Sequence, residues 1–218
     1  MKRLTEIANE CGTDKGTWGQ SHGFSEFYND IFENFKERAI NESRKLNILE
    51  VGVQYGKSLK MFEMFFEDTA NIYGIDIDIS NTTAQSENVK LYQFNAVDKE
   101  KINEFIEELK DIKFDIILED ASHIFKDQIN TLLYLYKHVK EDGIYIIEDL
   151  HTSLIWDWGY TMNSTLYYLI FNDKLDFMTD EEHNELQEHI KTVTVWSNSK
   201  PNDPNSGYRG ITSVITLK

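Results

Sequence analysis

Two acidic pairs and a histidine carry the strongest chemical signal in this 218-residue chain. One pair lies in Glu119-Asp120-Ala121-Ser122-His123 and the other is Glu148-Asp149, each at the end of a short apolar run that reads as a β-strand. Where two such strands are neighbours in one sheet, Asp120, Glu148 and Asp149 converge. Three carboxylates that close raise one another's pKa unless a cation holds them. Oxygen donors of this kind suit Mg²⁺, Ca²⁺ or Mn²⁺ better than zinc. His123 follows Asp120 by three residues, and imidazole, with an ordinary pKa of about 6.5, is suited to take a hydroxyl proton near neutral pH. A bound cation lowers the pKa of a hydroxyl and orients it. Asp120 and His123 are therefore the candidate catalytic pair, and Asp120, Glu148 and Asp149 the candidate metal ligands. His151 is a reserve base. The competing reading is that Glu119 or Asp149 only caps a helix in an acid-rich chain.

A second constellation lies earlier. The segment Leu49-Glu50-Val51-Gly52-Val53-Gln54-Tyr55-Gly56-Lys57-Ser58 runs from a strand into a turn with spaced glycines. Glycine lets backbone turn tightly and approach a ligand. This is not the G-x-G-x-x-G that cradles a pyrophosphate, so a ligand with an amino-acid moiety and no phosphates fits better. Asp76, in Gly74-Ile75-Asp76-Ile77-Asp78, stands at the end of the next strand, where an acid can accept from two ribose hydroxyls; it could equally be a solvated strand end. In Gln93-Phe94-Asn95-Ala96-Val97-Asp98 the side chains after the third strand could meet an adenine edge. Gln54, Tyr55, Asn95 and Ala96 join Gly52 and Asp76 as candidate cofactor contacts.

These groups need a scaffold that brings strand ends together. Apolar runs rich in β-branched residues occupy Leu46–Val53, Ile72–Ile77, Val89–Phe94, Phe114–Leu118 and Gly143–Ile147. Helical periodicity lies between them: Ile102, Phe105, Ile106 and Leu109 behind an N-cap at Asp98, and Phe125, Ile129, Leu132, Leu133, Tyr136 and Val139 ahead of a C-cap at Gly143. Strands alternating with helices predict a mostly parallel, Rossmann-like sheet covered on both faces. Before them, Leu4, Ile7, Ala8, Cys11 and then Phe24, Phe27, Tyr28, Ile31, Phe32, Phe35 predict two amphipathic helices. Beyond them come a helix near Ser164–Phe171, a capping box of Thr179 with Glu182, and strands at Thr192–Trp196 and Ile211–Leu217 around a proline-containing loop. The expectation is a single domain over 1–218, with an N-terminal helical extension (1–40) and a Rossmann-like core (45–218).

Composition narrows the partners. A net charge of −16 and a pI near 4.7 repel a phosphate backbone and disfavour a nucleic-acid substrate. No apolar stretch spans a bilayer and the first residues lack the apolar segment of a signal peptide. A single cysteine, Cys11, cannot form an intrachain disulfide. These features predict a cytoplasmic protein acting on a small molecule or glycan, as a possible homo-oligomer.

The motifs together resemble the metal-dependent sugar O-methyltransferases typified by the macrocin and mycinamicin enzymes of macrolide biosynthesis. The resemblance rests on Cys11-Gly12-Thr13-Asp14-Lys15-Gly16, His22, Tyr28, ILEVGVQYGKSL, GIDID, EDASH and IYIIEDLHTS, in that order from residue 11 to about 153. It implies a class I methyltransferase fold, seven-stranded with an antiparallel last strand and an N-terminal helical cap, that binds S-adenosylmethionine through Glu50, Gly52, Ser58 and Asp76. It also implies Mg²⁺ on Asp120, Glu148 and Asp149, His123 as general base, and the GTDKG segment as a cap over cofactor and acceptor. The chain departs at Asn95-Ala96-Val97-Asp98, where the family tends to Asp-Gln-Ser-Asp, at Leu154 in place of an aromatic, and in the closing VWSNSKPNDPNSGYRGITSV. The departures gather on the acceptor side, so the acceptor is not carried over from macrolides.

Two other functions compete. An NAD-dependent oxidoreductase would use the same sheet, but the missing G-x-G-x-x-G opposes it. A non-catalytic subunit that only binds S-adenosylmethionine would not need Asp120, His123, Glu148 and Asp149 together. Weaker motifs are Trp156, Trp158 and Tyr160, which could stack on a sugar or fill a lid, and Lys15 and Arg209, which could hold an anionic acceptor.

Overall fold

The computed structural model describes residues 2–19, 21–83, 86–110, 112–154, 162–198 and 210–218. The N-terminal helices are α1 (Leu4–Cys11) and α2 (Phe24–Asn41). The alternating part follows: β1 (Leu46–Val51), α3 (Lys57–Phe66), β2 (Ala70–Asp76), β3 (Val89–Gln93), α4 (Lys99–Leu109), β4 (Phe114–Glu119), α5 (Phe125–Leu135) and β5 (Val139–Ile147). It closes with α6 (Thr165–Phe171), α7 (Asp180–His189), β6 (Ile190–Ser197) and β7 (Ile211–Leu217).

The strands form one seven-stranded sheet in the order β3-β2-β1-β4-β5-β7-β6. β7 runs antiparallel to both of its neighbours, and the other strands run parallel in the sense the alternating pattern requires. Strand order reverses between β1 and β4, which opens a crevice beyond their carboxyl ends.

Neighbouring residues of each central strand serve opposite cores. Ile48, Ile72, Ile116 and Ile146 pack with Tyr28, Phe32 and Phe62 under α1, α2 and α3. Leu49, Tyr73, Ile117 and Ile147 pack with Phe105, Ile129 and Leu132 under α4 and α5. Two hydroxyls fasten the N-terminal helices: Tyr28 Oη lies 2.7 Å from Thr212 Oγ1, which donates to the Ile147 carbonyl at 3.0 Å. The caps read from the sequence form, with Asp98 accepting from the Glu100 and Lys101 amides and Thr179 pairing reciprocally with Glu182.

One boundary differs. α5 ends at Leu135 and passes through a 3₁₀ turn at Tyr136–His138, so β5 begins at Val139 and Gly143 lies within it. Pairing with β4 shifts register between Phe114 and Ile116. A Cβ at Gly143 would stand 2.9 Å from the Asp115 carbonyl and 3.0 Å from that of Phe114. The glycine serves close strand approach at a bulge, not a helix C-cap.

Candidate active site

Backbone hydrogen bonds align the strand ends that bear the site. Gly52 N–H donates to the Ile75 carbonyl, Asp120 N–H to Val51, and Glu148 N–H to Glu119, at 2.8, 2.8 and 2.9 Å. Beyond these ends lies a cavity of about 600 Å³, within the range that small-molecule sites occupy.

Its floor is the turn after β1. Gly52 has φ +89°, and a Cβ there would meet the Asp120 carbonyl oxygen at 2.2 Å, so the turn and the end of β4 touch through backbone. Asp76 fixes the same turn: its Oδ2 accepts from the Val53 and Gln54 amides at 2.8 Å each, and Oδ1 accepts from Asp78 at 3.0 Å. Gln54 sits at φ +46°, an uncommon conformation for a residue with a Cβ that these two bonds help to hold. Gly52, Gln54, Tyr55, Ser58, Asp76, Asn95, Ala96, Asp120 and His123 all line the cavity. Glu50 stands behind the wall, fully buried, accepting from Ser58 Oγ at 2.7 Å. Burial pushes its carboxyl up to about 7, with Lys15 and Ser58 opposing the rise.

The roof is the segment between α1 and α2, where Gly12, Thr13, Asp14, Lys15 and Trp18 line the same cavity. Lys15 is not a surface cation reaching for an acceptor. It is 1% exposed, and its Nζ lies 2.5 Å from Asp120 Oδ2, 2.9 Å from Glu148 Oε2 and 3.7 Å from Glu50 Oε1. Burial alone would lower its pKa, but Asp120, Glu148, Asp14 and Glu50 together drive it well up, so the ammonium stays charged.

The candidate metal ligands divide around it. Glu148 faces Lys15, and its carboxyl is driven well up by burial and by Asp120, Asp14 and Asp149, because one ammonium is shared among several acids. Asp149 turns to the imidazoles instead. Its Oδ2 lies 3.3 Å from His123 Nδ1, and its Oδ1 lies 3.5 Å from His151 Nδ1 and 3.8 Å from His22 Nδ1. Burial, then Asp120, push its carboxyl up to about 6 against the three cations and imidazoles nearby. Donor atoms of Asp120, His123 and Asp149 lie within 4.8 Å of one another. Glu148 Oε1 is buried without a hydrogen-bond partner among the described residues. Orphaned carboxylate oxygens are costly unless something binds them, so the donor set fits a hard divalent cation.

His123 and Asp149 both adopt positive φ, +57° and +53°, strain of the kind that gathers at functional sites. Thr152 Oγ1 lies 2.8 Å from the His123 carbonyl and 2.9 Å from that of Asp149, and its one hydroxyl hydrogen, shared between them, holds the two turns together. His151, the reserve base, has its pKa lowered to about 4 by burial and then by His22 and His123, which makes it a poor proton acceptor. At Glu119, burial pushes the carboxyl up to about 8 against the Ala121 amide that it accepts from.

Sequence reasoning missed the place of Lys15 and gave His22 no chemical role. The proximity of GTDKG and His22 to the acids is tertiary, though both segments were prominent as motifs. Trp156, Trp158, Tyr160, Arg209 and most of the loop at 197–210 lie outside the described residues.

The strand order, with β7 antiparallel to its neighbours, is that of a class I methyltransferase fold. Residues 49–150 match the family model Methyltransf_24, a methyltransferase domain. The chain is similar in sequence to the macrocin and mycinamicin sugar O-methyltransferases. It is 31% identical to demethylmacrocin O-methyltransferase of Streptomyces fradiae over 157 residues, 69% of this chain and 37% of that protein. It is 27% identical to mycinamicin VI 2''-O-methyltransferase of Micromonospora griseorubida, over 69% of this chain and 36% of that one. The chain thus spans little more than a third of the curated relatives it matches. Among solved structures, the MycE methyltransferase of the mycinamycin pathway, in complex with Mg and SAH, superposes with a TM-score of 0.75 at 22% identity, covering 99% of this chain and 55% of that one. That likeness speaks to the fold.

Proposed function

We propose that this chain transfers a methyl group from S-adenosylmethionine to a hydroxyl of a sugar or sugar-bearing metabolite, assisted by Mg²⁺ or another hard divalent cation. The observation that carries the reading is that Asp120 and His123 line the same cavity as the Gly52 turn pinned by Asp76, with donor atoms of Asp120, His123 and the buried Asp149 within 4.8 Å of one another. The relatives' names, which specify sugar hydroxyls on glycosylated natural products, support the acceptor class.

In this reading Gly52, Gln54, Tyr55, Ser58, Asp76, Asn95 and Ala96 surround the cofactor, with Glu50 bracing the wall through Ser58. Asp120, Glu148 and Asp149 would hold the cation. S-adenosylmethionine supplies the methyl group, and the cation supplies positive charge that orients an acceptor hydroxyl. His123 removes the hydroxyl proton, and Asp149, 3.3 Å from its Nδ1, stabilises the imidazolium that results. The roof of Gly12–Lys15 and Trp18 excludes water and holds the reacting groups at attack distance. The acceptor is a small molecule or glycan rather than a nucleic acid, given the charge of −16, and the reaction is assigned to the cytoplasm.

The test is methyl transfer from labelled S-adenosylmethionine to a panel of nucleotide sugars and glycosides. His123→Ala abolishes turnover while cofactor affinity stays within a few-fold of wild type. Turnover retained in that variant removes His123 from the mechanism, and activity indifferent to a chelator removes the cation.

A further inference from the structure

We infer that His22, His151 and Asp149 Oδ1 form a second cation site, distinct in chemistry from the all-carboxylate set and suited to a borderline divalent transition metal such as Co²⁺, Ni²⁺ or Zn²⁺. One ligand atom from each of the three residues lies within 4.8 Å of the others. His151 Nδ1 stands 3.5 Å and His22 Nδ1 3.8 Å from Asp149 Oδ1. Asp149 is 6% exposed, and its Oδ1 and the His151 Nδ1 are both buried without a hydrogen-bond partner among the described residues. Two buried polar atoms aimed at each other and unsatisfied are costly; a cation between them satisfies both.

The three donors arrive on two segments, His22 on one and Asp149 with His151 on the other. His22 lies on the segment before α2, its ring stacked on Phe24 at 5.2 Å and its carbonyl accepting from Asn198 Nδ2 at 2.8 Å. His151 lies in the 3₁₀ turn Leu150–Leu154, where Thr152 fixes the neighbouring Asp149 carbonyl. The two rings are neighbours, tilted by 38° with centroids 5.5 Å apart. Bonds of about 2.0–2.2 Å to nitrogen and oxygen put adjacent donors roughly 3–3.5 Å apart, so a small rotation of the partly exposed His22 ring closes the set.

Ligand type decides the metal. Imidazole nitrogen favours Zn²⁺, Co²⁺ and Ni²⁺, while Mg²⁺ keeps to oxygen. Asp149 divides the two chemistries: Oδ2 faces His123 and Oδ1 faces His22 and His151. A carboxylate shared in this way is the usual bridge of a two-cation centre, in which the ions lie about 3.5–4 Å apart. The second site does not depend on the methyl-transfer reading, since it requires only the three donors.

The experiment titrates Co²⁺ into the full chain with Mg²⁺ saturating, following visible absorption, in wild type, His22→Gln, His151→Gln and Asp120→Asn. S-adenosylmethionine affinity and thermal melting, measured on each variant, report the proposed function and the fold separately. Wild type takes up one Co²⁺ that Mg²⁺ does not displace; each histidine variant loses affinity at least tenfold, and Asp120→Asn retains it. Displacement of Co²⁺ by Mg²⁺, or affinity lost in Asp120→Asn but kept in both histidine variants, overturns the proposal, as does the absence of Co²⁺ uptake by folded wild type.

Discussion

Lys15 Nζ lies 2.5 Å from Asp120 Oδ2, joining the roof of the cavity to the end of β4 across 105 positions of sequence. The ammonium therefore stands where positive charge is wanted by the acids proposed to bind a cation. A unit charge at about 4 Å is worth roughly 1–4 kcal/mol between aqueous and near-surface dielectrics. Lys15→Gln is expected to raise Mg²⁺ affinity about tenfold or more, because the acids lose a competing cation. The same change lowers S-adenosylmethionine affinity, because the roof loses its tether. Calorimetry with each ligand checks both signs; a fall in both affinities would make Lys15 a purely structural cation.

Gly52 gives a contrast within one residue type. Its φ of +89° and the 2.2 Å approach of the Asp120 carbonyl leave no room for a Cβ, whereas Gly19, at φ +58°, has nothing within 4 Å. Gly52→Ala is expected to cost 3 kcal/mol or more, on the order of the larger single-site losses, and to abolish cofactor binding. Gly19→Ala costs only the left-handed strain of about 1–2 kcal/mol. Urea melts of the two variants separate the cases.

Glu119 supplies a pH test. Its folded value of about 8 lies above the ordinary 4.5, and burial is the main cause. The native state then binds more protons than the unfolded chain between these two values, so its contribution is full below about 4.5 and is lost as pH rises toward 8. Glu119→Gln keeps a neutral side chain that still accepts from the Ala121 amide. Its stability relative to wild type should grow by up to about 1.4 kcal/mol per unit across that window. Urea midpoints at pH 5 and pH 8 measure the difference, and a difference that does not change with pH would mean that Glu119 is ionised throughout.

Asp76 does two jobs in this account. Asp76→Ala leaves the amides of Val53, Gln54 and Asp78 without their acceptor and is expected to destabilise by about 2–3 kcal/mol, with loss of cofactor binding. Asp76→Asn keeps one acceptor oxygen and recovers part of the stability. Equal losses in the two variants would point to the charge rather than to the hydrogen bonds.

The fold was legible because its signals are local. Alternating runs gave the strands, Asp98 and the Thr179–Glu182 box gave helix starts, and two phenylalanine-rich turns gave α2. Gly143 misled, since Glu141-Asp142-Gly143 has the composition of a helix end while the glycine answers to the backbone of a neighbouring strand. In the candidate site, strand ends predicted which acids gather, because the sheet order places β1, β4 and β5 side by side. What sequence could not give was the division of labour among them. Lys15 against Glu148, and His22 against Asp149, are contacts between a segment near residues 12–23 and strand ends more than a hundred residues away. No periodicity records such contacts.

The most direct test of the central claim is calorimetric titration of the full chain with S-adenosylmethionine, with NAD as the control and each repeated in Mg²⁺. The account predicts micromolar binding of S-adenosylmethionine and none of NAD. Binding of NAD, or no binding of S-adenosylmethionine with or without Mg²⁺, would contradict it.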